Sequence, residues 1–141
     1  MTKSRLAGAC IIAVAFAAVS LMTTADAQKT KGKTRPAETK YLMRGILKPN
    51  CAGLGATLKA GPKTDEDWDK AACQAACMNE LGHSLMADGR CPDGTWAKAS
   101  KALQEGSAAA LKAIAAKDLD AANAAFKTAT SSCGTCHKAH K

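Results

Sequence analysis

Cys133-Gly134-Thr135-Cys136-His137-Lys138-Ala139-His140-Lys141 closes the 141-residue sequence, and the residues before it keep its rhythm. Ala122, Phe126, Ala129, Cys133 and Cys136 recur at steps of four and three. Those steps put side chains on one face of a helix. Cys133 stands three residues before Cys136 and four before His137, so both thiols and the imidazole project together. Cys-x-x-Cys-His is the sequence form of a covalent c-type haem site. Two thiols can add to the two vinyl groups of one haem c, and the adjoining imidazole can ligate iron on one side of the ring. A thioredoxin-like pair would want a helix N-terminus in a βαβ setting, and the alternative is half of a zinc site. Neither setting is visible in the surrounding sequence.

Working back from the motif, the pattern is helical throughout. Asp118 opens a fourth helix that runs into the motif. A third helix spans about Thr95 to Lys117, its inner face marked by Trp96, Ala99, Leu103, Ala110, Leu111 and Ile114. The second starts at Thr64 or Asp65, where Thr64 and Asp67 have the spacing of a capping box with acid in the first turn. It runs through Trp68, Ala72, Ala75, Ala76, Leu81 and Leu85 to Asp88-Gly89, before a turn over Cys91-Pro92-Asp93-Gly94. The first helix opens near Pro36 and carries Tyr41, Leu42, Ile46, Leu47, Leu54 and Leu58. Pro49 predicts a kink there, and Gly53 and Gly55 loosen the next turn. A helix that accepts this loss has a reason, such as a ligand beside it. Ala60-Gly61-Pro62 ends it. Strand signals are missing. Four helices with short links predict an all-α, antiparallel four-helix bundle with a C-terminal covalent haem site. The core is rich in alanine, and the chain has only two Trp, one Tyr and two Phe. Helices can therefore approach closely, and a haem would supply much of the missing apolar bulk.

The N-terminal part reads differently. Lys3 and Arg5 precede an apolar run from Leu6 to Met22, and Ala25-Asp26-Ala27 has small residues where a signal peptidase reads. Residues 1–27 are expected to be a secretory signal, too short in its apolar run for a membrane span. Cys10 comes too early in that run for a lipoprotein site. Residues 28–38 hold Lys29, Lys31, Lys33, Arg35 and Pro36 with little apolar content, and are expected to be a disordered basic leader. The bundle then occupies residues 39–141, with no integral membrane segment after cleavage. The formal charge is +8. In an exported protein this argues for an acidic redox partner or an anionic surface rather than nucleic acid, and much of it belongs to the solvated leader. Export to the periplasm agrees with the haem motif, since bacterial haem attachment takes place outside the cytoplasmic membrane, where disulfides also form.

A four-helix chain with Cys-x-x-Cys-His almost at its C-terminus resembles the class II c-type cytochromes, the cytochrome c-prime family. The similarity is greatest from residue 95 onward. Trp96 opens the third helix, Lys117-Asp118 stands at the family's short turn, and Phe126 lies seven residues before the first motif Cys. Lys141 takes the place of a common Arg four residues after the haem His. The resemblance implies Cys133 and Cys136 as thioether anchors and His137 as the proximal iron ligand. In the family the first helix faces the other side of the haem, with either an apolar residue at an open iron or a Met that closes it. Here the usual Arg and Met four apart are replaced by Arg44 and Lys48. Met43, Leu47 and Cys51 are the residues left to take that place. A few relatives use a Cys thiolate, and Cys51 shares a face with Leu47, Leu54 and Leu58. Such a thiolate would give a low-spin centre of low potential. Cys51 could equally be half of a disulfide or an inert buried thiol.

Cys73, Cys77 and Cys91 complete the set. Four cysteines outside the motif and the signal permit three full pairings, and Cys73 and Cys77, four apart on one helix, are badly placed to bond each other. A zinc site from the four lacks paired Cys-x-x-Cys knuckles. His83 is expected to be satisfied locally, solvent-facing or bonded to a propionate, and His140 exposed. No acid/base pair or nucleophile constellation stands out, so the chain is read as a non-enzymatic, six-coordinate carrier of single electrons that meets a redox partner protein. The alternative is a five-coordinate binder of nitric oxide or carbon monoxide. Relatives often dimerise through their first two helices, which implies a homodimer or a heterodimer with a related cytochrome.

Overall fold

In the computed structural model, residues 28–140 are described; the expected signal over residues 1–27, with Cys10, and Lys141 lie outside them. The long helices open on side chains that reach free backbone amides. For α3 (Asp65–Met86) the Thr64 hydroxyl accepts from Asp67 N at 3.1 Å and Asp67 Oδ2 accepts from Thr64 N at 3.1 Å, closing the expected capping box. For α4 (Gly94–Ala115) the cap is Asp93, which accepts from Trp96 N at 2.9 Å. For α5 (Leu119–Thr130) it is Asp118, accepting from Ala121 N at 2.9 Å. Left-handed residues end the helices: Gly61 at φ 74° after α2, Asp88 and Gly89 at 60° and 76° after α3, and Lys117 at 53° between α4 and α5.

Two elements differ from expectation. The first helical stretch begins at Thr39, not near Pro36, and comes in three pieces: α1 (Thr39–Leu42), a π-helical segment (Met43–Leu47) and α2 (Lys48–Ala60). The fourth stretch is divided as well. After α5 the chain turns at Ser131-Ser132, and the motif occupies its own short helix α6 (Cys133–His140), whose Cys136 N donates to Ser132 O at 3.0 Å. Ser131 and Thr130 hydroxyls turn back onto carbonyls of the preceding turn, a competition that favours helix ends.

The architecture is all-α, four helical stretches packed on one another, with no strand among the described residues. α4 packs against both α3 and α5, α2 against α3 and α5, and α6 against α4. The buried centre is Leu54, Leu58, Met78, Leu81, Leu85, Trp96, Leu103 and Ile114, filled out by Ala71, Ala75, Ala110, Ala122 and Ala129. Small residues set the spacing. A Cβ on Gly106 would lie 2.3 Å from Ala129 N, so α4 and α5 touch backbone to backbone. No described helix is long and apolar enough to cross a membrane.

Residues 28–38, expected to be disordered, are held down. Arg90, 1% exposed, donates from Nη1 to the carbonyls of Ala37 (2.8 Å) and Thr30 (3.3 Å), and from Nη2 to that of Arg35 (3.2 Å). Asp88 accepts from the amides of Thr34 and Arg35 at 2.9 and 3.0 Å. A buried guanidinium must find acceptors, and the leader supplies them from its main chain. Composition is blind to that, because every residue carries a carbonyl.

Candidate functional site

Pro49 lies in the first turn of α2. It has no N–H to donate, and its ring crowds the carbonyl four residues back, that of Gly45. The chain answers by widening over Met43–Leu47 into a π turn, a form that recurs at functional positions. Asn50 Nδ2 donates to the Ile46 carbonyl at 2.8 Å, occupying an acceptor of the widened turn. A Cβ at Gly45 would meet nothing within 4 Å. The expected kink is thus a change of helical register on the segment that carries Met43 and Leu47.

Both of those side chains line a narrow cleft of about 30 Å³. With them are Leu85 from α3, Trp96, Ala99, Ser100 and Leu103 from α4, then Ser132, Cys133, Cys136 and His137. Trp96 is fixed as a wall, 3% exposed with its Nε1 donating to Leu85 O at 2.8 Å. Cys136 is buried, Cys133 half-buried, and His137 exposed at the edge. Burial pushes both motif thiols above the usual range, and for Cys136 the neighbouring Cys133 and Asp93 add to it. The thiols are therefore held protonated, the form least open to oxidation.

The structure brings together Cys133, Cys136, His137, Met43 and Leu47, and leaves Cys51 outside the lining. Cys51 is half-buried one turn further along, packed on the core. Its thiol is raised by burial first and then by Cys133, so the two sulfurs sense each other. His83 is exposed on α3, Cys73 and Cys77 are exposed on the same helix, and Cys91 is half-buried with Sγ 3.5 Å from Asp93 O. All six described cysteines are free thiols. Among the described residues no group of three or more His, Cys, Asp or Glu could hold a metal ion, so the four-cysteine zinc alternative has no cluster behind it.

His140 corrects the expectation of exposure. It is 6% exposed, its ring edge-on to Trp96 with centroids 5.3 Å apart, and its Nε2 lies 3.3 Å from Asp93 Oδ1. That spacing suits an ion pair when the imidazole is protonated, although it is not aligned as a hydrogen bond. The aromatic edge contact and the carboxylate outweigh the position near the chain end. Asp93 is held below the usual carboxylate range, first by the Trp96 amide and, among the smaller causes, by His140. One side chain thus caps α4 and faces the end of α6.

Ser100 and Ser132 are lining residues that the sequence reading does not single out, and Leu85 is read there only as part of the second helix's apolar face. Ser100 was within reach: it follows Trp96 by four and precedes Leu103 by three, on the same stripe, but its hydroxyl hides it from an apolar pattern.

Comparison with protein-family models, curated proteins and solved structures finds no match to this chain.

Proposed function

We propose that the chain is an exported c-type haem protein of the cytochrome c-prime kind, an antiparallel four-helix bundle that carries single electrons in the periplasm. One observation carries the reading: the thiols of Cys133 and Cys136 and the imidazole of His137 edge the same apolar cleft that Met43 and Leu47 line from the π turn. The donor set fits the group. Two thiols and an imidazole share one short helix at the spacing covalent attachment needs, beside a wall of Leu85, Trp96, Ala99 and Leu103. When bound, haem c would supply a ferric/ferrous couple. Cys133 and Cys136 would tether it and His137 would hold the iron from one side. The largely apolar lining would lower the local dielectric and so raise the electrostatic weight of whatever faced the iron.

Cys51 is the proposed distal ligand, and its thiolate would favour the ferric state and a low potential. A specific observation favours a second reading: Leu47 and Met43, not Cys51, line the cleft. On that reading Leu47 walls an open, five-coordinate site for nitric oxide or carbon monoxide. A redox protein is the proposed partner, together with a second copy or a related cytochrome as a dimer mate.

The test is spectroscopic. The exported protein should carry one covalent haem by intact mass, lost in Cys133→Ser combined with Cys136→Ser. The ferric protein should be low-spin, and Cys51→Ala should make it high-spin. An unchanged spectrum in Cys51→Ala removes Cys51 as ligand, and a mass without haem removes the whole reading.

A further inference from the structure

The outward face of α3 carries chemistry that the proposed site leaves unused. Lys70, Cys73, Cys77 and Glu80 follow at steps of three, four and three, and all four are exposed. Those steps form one stripe on the solvent side of the helix. The stripe lies across the middle of α3, which spans Asp65–Met86, with Ala75 at the level between the two thiols.

We propose that this stripe joins two copies of the chain through paired disulfides across an antiparallel α3–α3 contact. The argument is reciprocity. In a two-fold contact a residue n places before Ala75 in one copy faces the residue n places after it in the other. Cys73 is then set against Cys77 of the second copy, and Cys77 against Cys73. The same rule sets Lys70 against Glu80, again twice. One register satisfies both the thiols and the charges. A parallel contact would instead oppose Lys70 to Lys70 and Glu80 to Glu80, which repel. Within one copy the two sulfurs stand a helical turn apart with parallel Cβ directions, a poor geometry for a bridge.

Each bridge forms by exchange. A Cys73 thiol and a Cys77 thiol of the second copy each give up a proton, one S–S bond forms between them, and two electrons pass to a small-molecule disulfide, which leaves as two thiols. The inference does not depend on haem. It draws on the export reading only for an oxidising compartment, and the test below supplies the oxidant directly.

The purified, reduced protein is incubated with oxidised glutathione, then read by non-reducing electrophoresis and intact mass. The expected product is a covalent dimer lacking four thiol hydrogens. Cys73→Ser alone and Cys77→Ser alone should each lose it, while a mixture of the two variants should regain a singly bridged heterodimer. Lys70→Glu should slow dimer formation, and Lys70→Glu with Glu80→Lys should restore its rate. The positions are exposed, so the variants keep the fold, which helical circular dichroism checks. The proposal is overturned by a dimer that survives loss of both cysteines, by a monomer that loses two thiols internally, by a single variant that dimerises as fast as the parent, or by a mixture that yields no heterodimer.

Discussion

Gly106→Ala should destabilise this protein although the same change stabilises most helices. In an exposed helix interior, alanine is favoured over glycine by about 0.8–1.0 kcal/mol. At Gly106 the added methyl would stand 2.3 Å from Ala129 N, 2.5 Å from its Cα and 2.7 Å from its Cβ. Those obstacles belong to the backbone and first carbon of α5, so no rotamer change can clear them. To reach ordinary contact α5 must retreat by roughly 1 Å from a close-packed neighbour. Overpacking of this kind costs about 1–3 kcal/mol, and a backbone obstacle sits at the upper end. Net of the propensity gain, the variant should lose about 2 kcal/mol. With a urea slope of about 1–3 kcal/mol/M, the midpoint falls by roughly 1 M. Gly45→Ala is the control: its new methyl meets nothing within 4 Å, and its midpoint should hold or rise. If Gly106→Ala is as stable as the parent, the backbone contact between α4 and α5 is not as close as described, and the account of the alanine-rich core fails with it.

Two further perturbations probe the ends of the cleft and the leader. Asp93 has a lowered carboxyl pKa, so its contribution to stability is present above the ordinary carboxylate range and fades as pH falls through the lowered value. Asp93→Asn keeps a capping oxygen but cannot titrate; thermal melts from neutral to acid pH should lose part of their pH dependence in that variant. Asp93→Ala should cost about 1 kcal/mol at neutral pH through the lost cap alone. Arg90→Met removes donors to the carbonyls of Thr30, Arg35 and Ala37. Hydrogen bonds to charged groups are worth about 1.5–3 kcal/mol each, but the leader can lift off into water and recover much of that, so about 2 kcal/mol should be lost in all. Limited trypsin digestion should then cut after Lys31 or Lys33 faster than in the parent; equal rates would mean that Arg90 does not hold the leader.

What could be read without coordinates was local. The Thr64–Asp67 box, the Asp118 start and the stop at Gly61 are each contained in a few adjacent residues, and all three are present. The motif spacing already placed Cys133, Cys136 and His137 together, and Met43 and Leu47 were legible as residues of the facing helix. The structural differences from that reading are non-local or depend on competition between near-equal forms. Pro49 signals trouble, but whether the helix kinks or widens into a π turn depends on what packs around it. The Ser131-Ser132 break looks like helix in any periodicity count. His140 is buried because Asp93 and Trp96, more than forty residues earlier, meet it there.

The Arg90 clamp bears on how this chain can change over time. A guanidinium that grips carbonyls senses the path of a segment and not its side chains. Apart from Gly32, where a Cβ would run into the Asp88 carboxylate, and Thr34, whose hydroxyl donates to Asp88, residues 31–37 are therefore free to exchange their side chains, and across relatives they should vary as a linker varies. Their number is another matter. Removing one residue between Thr30 and Ala37 would move an acceptor out of reach of Arg90 and leave a buried guanidinium short of a carbonyl. The segment is permissive in its letters and strict in its length.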